Sequence, residues 1–106
     1  MMLQMKFEMA NYAADTFAPY VGQVLVFDPG GVQLELLKVS RRNPGQVPAG
    51  FREPFSLLFV LRSAEPLGKG LYRIVHQDFE PSEWLLTRVM APGLDPRQAY
   101  YEAVFG

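Results

Sequence analysis

The chain has 106 residues, 49% hydrophobic and 20% charged, with a formal charge of −1 at pH 7. That is the make-up of one globular domain, residues 1–106, large enough for a self-sufficient core. The balanced charge excludes the strong positive field that non-specific nucleic-acid binding requires. Cysteine is absent, which removes disulfides, thiolate nucleophiles and cysteine metal sites.

At the amino terminus, Lys6 and Glu8 interrupt any apolar signal-like stretch, and no apolar run anywhere approaches roughly 18 residues. The expected setting is therefore the cytoplasm, with no membrane partner. Leu3, Met5, Phe7 and Met9 alternate with Gln4, Lys6 and Glu8. Period two fits a half-buried strand, while chain ends are often loose, so 1–12 is read as either an extra strand or a flexible tail. From Ala14 to Val21 the chain predicts one short helical element. Asp15 suits its first turn, Pro19 keeps it short and Gly22 stops it. Phe17 and Val21, four apart, are expected to share a buried side that plugs one end of a sheet structure.

Strands follow. Residues 24–27 (VLVF) and 32–36 (VQLEL) flank the turn Asp28-Pro29-Gly30-Gly31 and predict a hairpin. Leu37 breaks the alternation, as a bulge does. The longest irregular segment spans 40–52, where two prolines and two glycines deny regular structure. Next comes PFSLLFVL at 54–61, with Phe55, Leu57, Phe59 and Leu61 on one face and Ser56, Leu58 and Val60 on the other. A strand apolar on both faces is expected to be covered on both, which makes this the central strand. Gly68-Lys69-Gly70 is a hairpin turn, since it lacks the first glycine and the Ser/Thr of a phosphate loop. It leads into 71–76, where Tyr72, Ile74 and His76 share a face. Two more strands, 83–90 and 100–105, close the chain, the last with Tyr101, Ala103 and Phe105 inward and Tyr100 and Glu102 outward. Six short strands with Gly/Pro turns and one short N-terminal helix predict an all-β fold, a six-stranded antiparallel barrel or sandwich.

Chemistry is sparse. His76 is the sole histidine, and a triad with Ser56 and Asp78 would place its nucleophile inside an apolar strand without a nucleophile elbow. Glu53, Glu83 and Glu102 would serve glycoside hydrolysis only if the fold brought them together. No metal-ligand spacing occurs, and no cofactor is expected. The Arg52-Glu53 pair reads first as an ion pair fixing the entry to the central strand, and second as a recognition pair at a rim. Lys38, Arg41, Arg42 and Arg52 stand without an acid between them, whereas Asp78, Glu80 and Glu83 cluster. Opposite-sign loops of this kind suit head-to-tail or heterotypic docking.

Four runs in this order, FAPYVG at 17–22, REPFSLLF at 52–59, GLYRIVH at 70–76 and YEAVF at 101–105, resemble a family of small, uncharacterised bacterial all-β proteins. Its genes sometimes lie beside those for tail-collar-type phage fibre proteins, which implies an accessory or assembly role. The resemblance carries no catalytic residue. It also implies a Thr-type cap where this chain has Ala13, and an asparagine where it ends in Gly106, so the helix start should fray more.

The first expectation is thus a non-enzymatic interaction or assembly domain that binds a protein partner or itself, with contacts at Arg41, Arg42, Arg52, Glu53 and His76. Self-association would use a free edge on the closing strand and its outward Tyr100. The alternative is a small-molecule binding barrel, with Tyr72, Trp84 and Tyr101 lining a pocket and His76 at its mouth. A hydrolase built on Ser56 or the carboxylates ranks last.

Overall fold

The apolar runs become strands because each pairs on both sides and keeps its alternate residues out of water. A computed structural model describes residues 6–41, 53–63, 70–90 and 93–106. They form β1 (Val24–Asp28), β2 (Val32–Arg41), β3 (Phe55–Leu61), β4 (Gly70–Val75), β5 (Glu83–Val89) and β6 (Tyr100–Phe105). All neighbours are antiparallel, and the order β1-β2-β3-β6-β5-β4 closes into a barrel. The fold is therefore the barrel rather than the sandwich. The closing strand, β6, pairs with both β3 and β5, so the free edge expected for self-association does not exist.

β2 runs further than its apolar alternation suggests. The register slips between Leu36 and Lys38, a bulge at Leu37, after which Val39, Ser40 and Arg41 pair with Leu57, Ser56 and Phe55. The bulge restores the inward phase, so Val39 packs against the core. On β3, Phe55, Leu57 and Phe59 are fully buried inside, and Ser56 and Val60 are buried on the outer face, as the two-sided apolar pattern requires. Over Val60, Arg62 donates to Glu35 Oε1 at 3.0 Å and to Gln98 Oε1 at 3.1 Å.

Tyr100 corrects an expectation. It alternates away from the inward Tyr101, yet it is buried. Its hydroxyl accepts the Asp95 N–H at 3.1 Å, so the segment before β6 folds back over it.

One pole of the barrel is plugged. Helix α1 (Ala14–Phe17) continues into a 3-10 turn at Ala18–Tyr20. Gly22, at φ 91°, then redirects the chain, and its N–H donates to the Leu36 carbonyl at 2.8 Å. Ala13 has no side-chain acceptor, but Thr16 Oγ1 accepts the Ala13 N–H at 3.0 Å, which supplies half of a capping box. Phe17 is fully buried, stacked on Phe79 at 5.4 Å and edge-on to Trp84 at 5.5 Å. Val21 does not join it, being 46% exposed. Pro19 and the tighter 3-10 turn rotate Val21 off the α-helical face that a four-residue spacing assumes.

Residues 6–12 are neither a full strand nor a loose tail. Phe7 makes an isolated parallel bridge to Phe79, its N–H donating to the Asp78 carbonyl at 2.9 Å while Glu80 N–H donates back to its carbonyl at 2.8 Å. A 3-10 turn follows at Met9–Asn11. Leu3, Met5 and the Gly68-Lys69 turn lie outside the described residues. Among the described residues, no helix is long and apolar enough to cross a membrane.

Candidate functional site at the plugged pole

Strands β1, β3 and β5 begin at the pole where β2, β4 and β6 end, as the antiparallel registers dictate. This pole therefore gathers the end of β2, the entry to β3, the turn after β4 and the helical plug. Arg41, Glu53 and His76 all belong to it. Arg42 and Arg52 lie outside the described residues, as does the rest of 42–52.

Arg41 is the last residue of β2, and its guanidinium reaches two carboxylates. One terminal nitrogen hydrogen-bonds Asp15 Oδ1 on α1, and the other stands 3.6 Å from Glu53 Oε1. The arginine thus ties the plug to the barrel rim. Glu53 Oε1 is itself buried, and among the described residues no hydrogen bond satisfies it. It depends on the Arg41 charge, which a bidentate bond would have served better. The expected neighbour pair, Arg52 with Glu53, lies outside the described residues because Arg52 does. Glu53's described partner comes from across the β2–β3 pair.

His76 follows β4 and its side chain is only 19% exposed. Its Nδ1 accepts the Asp78 N–H at 3.0 Å, which leaves the proton of the neutral ring on Nε2. Asp78 Oδ2 lies 3.9 Å from Nδ1 and accepts the Tyr20 hydroxyl at 2.8 Å. The rings of Tyr20 and Phe79 both pack edge-on to the imidazole, at 5.6 Å and 5.3 Å. Burial, then the Asp78 hydrogen bond and charge, push the Tyr20 hydroxyl up to about 12. Burial also raises Tyr12, whose hydroxyl lies 3.3 Å from Ser82 Oγ. His76 borders a surface depression of about 430 Å³ that Lys6, Arg73 and Phe79 also line.

The other constellations come apart. Ser56 lies on the outer face of β3, opposite Ser40 and Val104, whereas His76 follows β4. On one side β6 and β5 separate those strands, and on the other β1 and β2. Glu102 pairs with Thr87, so Glu83 is four residues further along, about 13 Å away, beyond the reach of paired catalytic carboxylates. Glu83 instead faces Arg73 at 3.8 Å. Trp84 and Tyr101 are buried in the core and Tyr72 is packed against it. Trp84 touches Phe27 at 5.2 Å, Phe105 at 5.2 Å, Tyr12 at 5.7 Å and Phe59 at 6.4 Å. The aromatics expected to line a pocket fill the interior, and His76 stands at the plug rather than at a mouth. Among the described residues, no three His, Asp or Glu side chains gather as a metal site would need.

Of the basic segment, Lys38 and Arg41 are described and 42–52 is not. Arg41 and the turn carrying Asp78 and Glu80 share one pole. The Asp15 and Tyr20 contacts were missed from sequence, because each links groups far apart in the chain.

A family model, described as a domain of unknown function (DUF6916), matches residues 12–105. The chain belongs to the DUF6916 family. The match runs from Tyr12, a buried ring of the plug, to Phe105, the last residue of β6, and so takes in both plug and barrel. No curated protein and no solved structure matches this DUF6916 domain.

Proposed function

We propose that this DUF6916 domain is a non-enzymatic interaction or assembly module of the bacterial cytoplasm that docks a protein partner at the plugged pole. The observation that carries the reading is the interior. Aromatic side chains fill the barrel from Phe27 to Phe105 around Trp84, so recognition falls to the outer surface. At the plugged pole Arg41 ends β2 and the acidic 78–83 turn follows β4, and charges of both signs on one surface favour a fixed partner orientation. The resemblance to a family encoded near tail-collar-type phage proteins supports an accessory role in phage-tail-like assembly.

Arg42→Glu with Arg52→Glu tests this without touching the Arg41 ion pairs. Tagged wild-type and variant proteins are recovered from the native host, and the co-purifying chains are identified by mass spectrometry. Loss of one specific partner from the variant, with unchanged melting, supports the pole as the docking surface. Equal recovery of that partner, or recovery of none by the wild type, overturns it.

A further inference from the structure

The two halves of the barrel wall differ on the outside. Along β2, β3 and β6, Val60 and Tyr100 are buried, Arg62 bonds across to Glu35 and Gln98, and Val104 is the one described large apolar side chain left exposed. Along β4 and β5, large apolar side chains face out. Leu71 pairs with Leu85 across the two strands, and they are 59% and 52% exposed. One step along the same face, Arg73 pairs with Glu83, their side chains 59% and 56% exposed. Val75, also exposed, adds an apolar flank beside Val26 of β1.

We propose that this β4–β5 face is the contact between two copies of the chain. The arrangement is self-complementary. A two-fold axis in the interface plane, parallel to the strands and midway between β4 and β5, exchanges the two strands at each level. Leu71 of one copy then meets Leu85 of the other, and Arg73 meets Glu83. Both symmetric contacts have the right chemistry, apolar on apolar and cation on anion, as an isologous interface demands. The aligned packing of two sheets about 10 Å apart brings such side chains into contact. A row holding one cation and one anion has no excess positive charge to draw it to an anionic lipid surface, and the chain's formal charge of −1 leaves two copies little net repulsion.

The patch also sets the strength. Three strands at about 4.8 Å spacing and six residues at about 3.3 Å rise give a face of about 300 Å². Stable dimers take about 800 Å² from each partner. The association is therefore weak. This inference rests on the interaction-module reading for its class but on a different surface, so its failure leaves the plugged pole untested by it, and the reverse.

The test is a charge-exchange experiment read by sedimentation equilibrium between about 10 µM and 1 mM. Arg73→Glu places like charges opposite each other in its own dimer, and so does Glu83→Arg. Each variant alone should dimerise at least about tenfold more weakly than the wild type. Mixed in equal amounts, the two restore both opposite-sign contacts, and dimer should return as a heterodimer. Unchanged circular dichroism and melting establish that both variants fold. A wild type that stays monomeric to 1 mM, an open series of larger oligomers, single variants that dimerise like the wild type, or a mixture that fails to recover would each overturn the proposal.

Discussion

Replacing Phe17 by alanine measures whether the helical plug is part of the barrel's core or only rests on it. Phe17 is fully buried and makes ring contacts with Tyr12 at 5.0 Å, Phe79 at 5.4 Å, Trp84 at 5.5 Å and Phe55 at 5.9 Å. Truncating a buried phenylalanine costs about 3–5 kcal/mol through lost transfer energy and the cavity left behind. The surrounding rings are themselves held by strands, which limits collapse into the hole and favours the upper part of that range. Small domains carry only about 5–15 kcal/mol of net stability, so the loss should lower the midpoint of thermal unfolding by at least about 12 °C. Trp84 is the sole tryptophan and touches the Phe17 ring, so urea unfolding followed by its fluorescence reports the site directly. Val21→Ala is the paired control and should change stability by less than about 0.5 kcal/mol, as exposed substitutions do. A Phe17→Ala cost below about 1 kcal/mol, or equal effects at 17 and 21, would refute the placement of the plug. A cycle with Phe79→Ala should show a coupling of about 0.5–1.5 kcal/mol from the stacked pair.

Other expectations follow from the same geometry. Leu57→Ala should destabilise by about 2–5 kcal/mol in urea titrations, whereas Leu85→Ala, on the outer face, should cost well under about 1 kcal/mol in dilute monomer. Arg41→Ala removes the charge beside the buried Glu53 oxygen and the tie to Asp15, and should cost about 1–2 kcal/mol, with the difference from wild type shrinking at 1 M salt; no loss at low salt would mean that the tie contributes nothing. Tyr20 is raised from 10.0 to about 12, so the folded chain holds its phenolic proton longer than the unfolded chain. Its contribution is complete below pH 10 and is lost as pH rises towards 12, with stability falling through that window. An absorbance titration at high pH should show a late tyrosine step that Tyr20→Phe removes; an unchanged titration would contradict the Tyr20–Asp78 bond.

Local sequence carried the strands because their information is local. Val32, Leu34 and Leu36 alternate toward one side, Gly22 and the Asp28 to Gly31 turn end elements, and Leu37 breaks phase where the bulge occurs. The two-sided apolar run of β3 correctly announced burial on both faces. Errors arose where a rule of spacing was carried past its domain. The α-helical period predicts Val21 beside Phe17, but the chain is a 3-10 turn from Ala18 to Tyr20 and Val21 faces out. Strand alternation points Tyr100 outward, which is right, but the segment before β6 folds over it and buries it.

Of the candidate site, the sequence supplied Arg41, Glu53 and His76 as residues but not their partners. Tyr12 meets Ser82 across 70 positions and Tyr20 meets Asp78 across 58, and no pattern within one strand encodes such pairs. What the chain settled by itself is which segments extend and which side of each seeks the core, because side-chain period and turn chemistry act over a few residues. What only the tertiary structure decided is that β6 closes onto β3, that the plug consumes Arg41 and His76, and that Leu71 and Leu85 are left outside. Those outcomes follow from register between distant strands, where a shift of one residue would turn every side chain to the opposite face.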